Sequence, residues 1–380
     1  MDRLEVGLRL SLSLMSVVST LTLCTRLEAA PRVLPPWSKA RAPSEGTSEA
    51  IGAYADGCIS GAHALPERGV GYRSIRRHRE RYYGHPVLID FLQSLAKKSA
   101  EAGLHPLAIG DLAQPRGGLM RSGHRSHQSG LDADIWFGGD QRYRQRVAPA
   151  RRRALLKAQA EPALSRSQRD LFRHPSVLYR GRERIDHKVW SDRHRQLLRW
   201  AASDERVARI FVHWVIKAKL CEERASADGD ESEKVTAWGW LQKIRPWYGH
   251  DRHFHVRLSC PAESPLCKNQ APLPEGNSCG AESWFSIKEV RARKVAAEKM
   301  TARGNAARGK LSPEERRRKA AERAQETAAK EAARQAERAP YLKRCGEVAT
   351  LDRMKASRAP TQLPPQRQAR DSERPPQNAQ

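Results

Sequence analysis

Beyond its first thirty residues the chain has no apolar run long enough to cross a bilayer as a helix, which takes about 20 residues. It is also short of acidic residues: 43 Asp and Glu stand against 69 Lys and Arg, for a formal net charge of +26 over 380 residues. A surplus of that size favours an anionic partner, whether nucleic acid, wall polymer or acidic lipid, without choosing among them. No RNA- or DNA-binding motif is present, which argues against nucleic acid. Heptad repeats are absent. Cysteine occurs seven times but never at zinc-ribbon spacing, which points away from a Cys-based metal site.

The one apolar run, Leu8 to Cys24, sits where an export signal belongs. Arg3 and Arg9 flank its start, and Leu27-Glu28-Ala29-Ala30 ends it with small residues suited to cleavage. The run is short and broken by Ser and Thr, so residues 1–30 read as a cleaved signal peptide rather than a retained anchor, and Leu23 before Cys24 is a poor lipobox. Six cysteines then remain: Cys58, Cys221, Cys260, Cys267, Cys279 and Cys345. An even number in an exported chain implies three disulfides, and counting alone leaves their connectivity open.

Residues 31–45, rich in Pro and Ser, read as a linker before a folded domain over 46–286. Residues 85–103 carry Val87, Leu88, Phe91, Leu92 and Leu95 at helical spacing, with Gly103 placed for a C-terminal cap. Residues 106–113 read as a strand leading into a loop. Residues 131–137 alternate as a strand with one polar side, Asp132, Asp134 and Trp136. The Arg-rich stretch 140–185 reads as a surface excursion, with Arg151-Arg152-Arg153 on a solvated face. Residues 193–212 predict a helix and then a strand, and Trp238 and Trp240 read as core.

From residue 287 the composition changes. Residues 288–338 hold sixteen Lys or Arg and eight Glu. Ser312, Pro313 and Glu315 form a capping box, which predicts a helix from there to about Arg338, stopped by Pro340. The helix is polar all round and has little to bury. We therefore expect a basic helical extension over 287–345 and a disordered, Pro- and Gln-rich tail over 346–380.

Two segments carry the chemistry: SGHRSHQSGLDADIW at 122–136 and WYGHDRHFHVRLSCP at 247–261. His127 and Asp134 stand as H-x6-D, and His253 and His255 as H-x-H on a predicted strand, where residues two apart face one side. Catalytic zinc takes three nitrogen or oxygen ligands and keeps one position open for the water it activates. His127, Asp134 and His255 supply that set. His253 stands beside it as a base for the water. Asp132, on the face of Asp134, either orients a ligand or bonds a backbone group. Trp247 and Tyr248, just before the second motif, either line the cleft or are packing residues.

Together with DGCISGA (56–62), RYYGHP (81–86), RIFVHWVIKAKLC (209–221) and RPWYGHDRHFHVRLSCP (245–261), these segments resemble the penicillin-insensitive murein endopeptidases, within the LAS group of zinc metallopeptidases. The resemblance spans residues 46–286. It implies an α+β, LAS-type metallopeptidase domain with a central antiparallel sheet flanked by helices. It implies zinc on His127, Asp134 and His255, His253 as the catalytic histidine, and His250 in support beside the metal. His124 matches a histidine that can bind a second metal, for which Asp186 and His187 are the nearest candidate partners. The implied disulfides are Cys58–Cys345, Cys221–Cys279 and Cys260–Cys267. The implied activity is cleavage of D-alanyl–meso-diaminopimelyl cross-links in peptidoglycan, in the periplasm, with no nucleic-acid partner and no membrane span after signal cleavage. The alternatives are a zinc D,D-carboxypeptidase or dipeptidase of the same fold, or a wall-binding protein without catalysis.

Overall fold

A computed structural model describes residues 36–104, 106–138, 175–179, 183–280, 282–309 and 311–355. The predicted signal peptide, the excursion over 140–174 with Arg151–Arg153, and residues 356–380 lie outside the described residues. No described helix is long and apolar enough to cross a membrane.

The chain is mixed α+β. It begins with β1 (Glu49–Ala53), β2 (Asp56–Ser60), β3 (His63–Ala64), β4 (Arg68–Gly69), β5 (Tyr72–Ser74) and β6 (Tyr83–Gly84). Helix α1 (Pro86–Glu101) follows, then β7 (Leu107–Ile109) and β8 (Asp132–Trp136). The second half holds α2 (Asp192–Ser203), β9 (Val207–Val212), α3 (Trp214–Ala225), α4 (Glu231–Trp238), β10 (Ile244–Pro246), β11 (His253–Leu258) and β12 (Cys267–Lys268). Helices α5 (Ile287–Gly309) and α6 (Pro313–Lys355) close the described chain.

A seven-stranded sheet in the order β10-β9-β11-β8-β7-β5-β4 forms the centre. Its four middle strands run antiparallel, as expected, but β10 joins β9 and β5 joins β7 in parallel, so the sheet is mixed. Parallel neighbours need a crossover. The segment containing α1 links β5 to β7, and the segment containing α3 and α4 links β9 to β10. Helix α1 starts where His85 Nδ1 accepts the Val87 N–H and Pro86 occupies the first turn. It buries Leu88, Phe91, Leu92 and Leu95 in the main core and stops before Gly103, whose φ of +68° favours glycine.

The polar side of β8 differs from the usual half-exposed strand: all five of its residues are buried. Ala133 and Ile135 face the core with Phe254, Val256 and Leu258. Asp132, Asp134 and Trp136 face the other way, where the loop carrying His127 roofs them. Trp240 is core and Trp238 packs against it half-buried.

Two boundary expectations need correction. From residue 36 the presumed linker lies on the domain: Ser44 Oγ meets Ser60 Oγ at 3.2 Å, and Arg116 Nε donates to the Ala42 carbonyl at 3.2 Å. The second concerns α6, which continues through Pro340 to Lys355 instead of stopping. An internal proline costs a helix about 3 kcal/mol, and here tertiary contacts offset it. Tyr341, Cys345 and Val348 pack on Ile51 and Cys58, and Arg338 and Tyr341 both bond Asp56. Gly52, at φ +71°, leaves the room that Tyr341 needs; a Cβ there would lie 2.8 Å from the Tyr341 ring. Cys58 is bonded to Cys345, Cys221 to Cys279 and Cys260 to Cys267.

Candidate metal centre

Strands β8 and β11 pair with His255 opposite Asp134, Arg257 opposite Asp132 and His253 opposite Trp136. Directly opposed residues share a face, so this register gathers two carboxylates, two imidazoles and a guanidinium on the side away from the core. The loop after β7 lowers His127 onto them. His127 has φ +66°, an unfavourable conformation for a side chain of this size. Its backbone N–H donates to Asp132 Oδ2 at 2.9 Å, which holds the turn.

Three donor atoms then converge. His127 Nε2 lies 3.2 Å from His255 Nδ1 and 3.4 Å from Asp134 Oδ1, and His255 Nδ1 lies 3.3 Å from the same oxygen. A tetrahedral ion with bonds of about 2.0–2.1 Å has ligand–ligand edges of about 3.3–3.4 Å. The triangle is therefore one face of such a tetrahedron. Asp134 Oδ1 is buried with no hydrogen-bond donor, as an oxygen reserved for a cation would be. Two imidazoles and a carboxylate form a donor set suited to zinc-like ions.

His124 overlaps this set. Its Nε2 approaches Asp134 Oδ2 at 3.4 Å, and His124, His127 and Asp134 offer ligand atoms all within 4.8 Å of one another. The tighter triangle with His255 fits one ion better, because His124 is already drawn to Asp111 Oδ2 at 3.1 Å. Asp186 and His187 sit in a turn of their own, where Asp186 Oδ1 accepts the Lys188 N–H.

Behind the triangle, Asp132 is fully buried and takes Arg257 Nε at 2.8 Å and Nη2 at 3.0 Å. Its Oδ1 lies 3.3 Å from His255 Nε2. With the Asp132 carboxylate beside Nε2, the His255 ring presents Nδ1 to the triangle. Arg257 is itself sandwiched between the Tyr54 ring at 4.2 Å and the Phe211 ring at 5.2 Å.

At the mouth, His253 Nε2 lies 3.6 Å from Asp134 Oδ2, and its ring packs against Trp136 with centroids 4.9 Å apart. Arg76 covers Trp136 at 4.3 Å. His250, 5.1 Å from His253 between ring centroids, has φ +57°. Its Nδ1–H donates to the Tyr248 carbonyl at 2.7 Å, which leaves Nε2 as a free base. Trp247 and Tyr248 are half-exposed, 50% and 55%, and meet Phe211 and Phe285 edge-on, so each ring is packed on one side and open on the other.

Burial pushes His127 down to about 4 and lowers His253 and His250 too, which keeps these imidazoles neutral near pH 7. His255 is shifted upward: burial lowers it, but Asp132 and Asp134 on its two sides outweigh that. A cation in the triangle would take the place of that proton. Despite their burial, Asp132 and Asp134 stay well below the usual carboxylate range, the first through Arg257 and His255, the second through the surrounding imidazoles.

Sequence reasoning missed Asp111, Arg79 and Arg81. Asp111 Oδ2 receives Arg79 at 2.7 Å and Arg81 at 3.1 Å as well as His124. The available signal was the position of Asp111 just after β7, beside β8, in a chain with few acids.

A central mixed sheet with His127, His255 and Asp134 gathered on one face forms a candidate metal site. The sequence profile described as penicillin-insensitive murein endopeptidase matches residues 50–314, and the chain belongs to that family. A protein of that name from Haemophilus influenzae is 43% identical over 254 residues, covering 66% of this chain and 78% of its own length. Its namesake from Klebsiella pneumoniae is 40% identical over 252 residues, covering 66% of this chain and 81% of its own. That from Yersinia enterocolitica is 38% identical over 260 residues, covering 68% and 84%.

Proposed function

We propose that this chain is a periplasmic, zinc-dependent endopeptidase of LAS-type fold that hydrolyses D-alanyl–meso-diaminopimelyl cross-links in peptidoglycan. The observation that carries the reading is the 3.2–3.4 Å triangle of His127, His255 and Asp134, combined with family membership. In it, His127 Nε2, His255 Nδ1 and Asp134 Oδ1 hold the metal. Zinc bound there supplies a Lewis acid that activates water and polarises the scissile carbonyl.

His253 acts as the base. It is neutral near pH 7, and Trp136 fixes its ring near the Asp134 carboxylate. It takes the proton of the attacking water and returns it to the leaving amine. His250, with Nδ1–H committed to Tyr248, presents Nε2 as an acceptor in support. Asp132 holds His255 in the ligating tautomer. His124, between Asp111 and Asp134, is the residue that would serve a second metal. The peptide runs over Trp247 and Tyr248. No serine takes part, which accounts physically for indifference to β-lactams, since these trap an active-site serine.

The test is cleavage of a purified cross-linked muropeptide dimer, read by mass spectrometry, with zinc, with chelator and with His253→Ala. Conversion to monomers that requires both metal and His253 supports the reading. Loss of only a terminal D-alanine would make the protein a carboxypeptidase. No cleavage by folded, zinc-loaded protein would leave wall binding as its role.

A further inference from the structure

Helices α5 and α6 present a feature that the proposed chemistry does not use. Every residue from Ser312 to Glu337 is exposed, so about 25 residues of helix, roughly 37 Å at 1.5 Å per residue, bury nothing. The last turns of α5 and the first half of α6 meet near Leu311, and the angle between them encloses an open groove of about 910 Å³. Gly and Ala floor it. Arg308, Arg316, Lys319 and Arg323 line it, with Glu331 at the far end. Neighbouring cations on α6 are neutralised within the helix, Arg318 by Glu322 and Lys330 by Glu326. The four groove cations have no carboxylate within ion-pairing distance among the described residues.

We propose that this groove is a docking surface for the anionic peptide-bearing glycan of the cell wall, and holds the enzyme on its polymeric substrate. The proposal rests on the peptidoglycan reading above. Stem peptides carry free carboxylates along an extended chain, which complements four cations gathered around one open recess. Membrane docking is disfavoured because neither helix has an apolar face to insert. The anchor sits at the other end of α6. Cys345 is bonded to Cys58 on β2, and Arg338 is paired with Asp56, so the groove end projects as a tethered arm.

The experiment measures retention of the full chain on purified sacculi by pelleting across a salt series, in a His253→Ala background so that the polymer survives. The variant changes Arg308, Arg316, Lys319 and Arg323 to Gln together. Retention at low salt should fall at least about fivefold. The two proteins should converge near 1 M salt, where exposed charges are screened within about 3 Å. Sacculi with amidated carboxylates should retain the unaltered groove no better than the variant. With His253 intact, the four-Gln variant should cleave the soluble dimer at the unaltered rate, which separates this proposal from the catalytic one. Equal retention of both proteins, or displacement from sacculi by anionic phospholipid vesicles but not by soluble wall fragments, would overturn it.

Discussion

Asp132 and Arg257 face each other across β8 and β11, and the carboxylate that closes this bidentate pair also reaches His255 Nε2. One buried group thereby joins the sheet, the loop at His127 and the candidate ligand His255. Asp132→Asn keeps the shape but loses the charge that orients the imidazole. Metal affinity should drop about 10- to 100-fold, measured by competition with a chromophoric chelator. Arg257→Ala leaves Asp132 buried without its main counter-charge and should cost about 3–5 kcal/mol of stability, measured by denaturant unfolding. Wild-type metal affinity in the Asn variant would show that Asp132 serves the His127 turn and Arg257 but not the metal.

Replacing any one of His127, Asp134 or His255 by Ala removes a corner of the triangle. Zinc content after dialysis, read by elemental analysis, should fall from about one per chain to near zero, and activity with it. His253→Ala should keep its zinc while losing about 10²–10⁴-fold in rate, the usual range for a general base. His124→Ala distinguishes one ion from two: retention of a single tightly held zinc assigns His124 to a second site or to none. Full metallation of a triple Ala variant of His127, Asp134 and His255 would sink the assignment.

The site was legible in the sequence where local spacing and strand period coincide. H-x-H on a strand puts His253 and His255 on one face, and H-x6-D spans the loop and strand that carry His127 and Asp134. Opposition of Asp134 to His255 was not legible, because register is set by pairing across about 120 residues. Arg79, Arg81 and Asp111 escaped for the same reason: their meeting depends on how two separate loops fold over the sheet. Pro340 misled because local propensity says stop, while Tyr341, Cys345 and Val348 have a surface to dock on. The parallel-paired strands β5 and β10, each three residues long, carry too few residues for any period to show.

The metal-free protein should lose stability as acidity rises, in two stages. His127 is buried and held down to about 4, against 6.5 in the unfolded chain. As pH falls below about 6.5 the unfolded chain takes up this proton first, so the equilibrium moves toward unfolding until the folded value is reached. For His127 alone that amounts to about 3 kcal/mol. His253 and His250 act in the same direction, and His255, shifted upward, offsets part of it. Below pH 4 the depressed carboxylates of Asp132 and Asp134 add a second decline, because their contribution is present above about 3.8 and vanishes as they protonate. Tm of chelated protein, followed from pH 8 to 3, should fall through both windows. A flat profile between pH 6.5 and 4 would contradict the neutral, buried state of His127.

Trp247 and Tyr248 lend a half-exposed aromatic ledge to the mouth of the site. If substrate lies across it, Trp247→Ala removes binding without touching the reacting atoms. KM for the muropeptide dimer should then rise about tenfold with kcat nearly unchanged, the signature of lost uniform binding. A fall in kcat at constant KM would place Trp247 in support of His250 instead, through its neighbour Tyr248.

The Cys58–Cys345 bond joins β2 to α6 across a sequence separation of 287 residues. Its removal as a double Ser variant should cost about 2–5 kcal/mol, because a long loop gains much freedom when opened. The non-covalent contacts at the same place, Arg338 and Tyr341 on Asp56 and Arg116 Nη1 on the Val348 carbonyl at 2.7 Å, should keep α6 docked at moderate temperature. Limited proteolysis of the Ser variant should therefore cut within the exposed stretch 313–337 as in the parent, and reach residues 341–348 only on warming. The same Arg116 bonds the chain on both sides, since its backbone carbonyl accepts Ile59 N–H at 3.1 Å next to the loop that bears Gln128 and His127. Undocking of α6 should consequently be followed by loss of metal, and a chelator assay run beside the proteolysis should show the two events in that order. Metal retained by protein whose 341–348 segment has already been digested would separate the tail from the site.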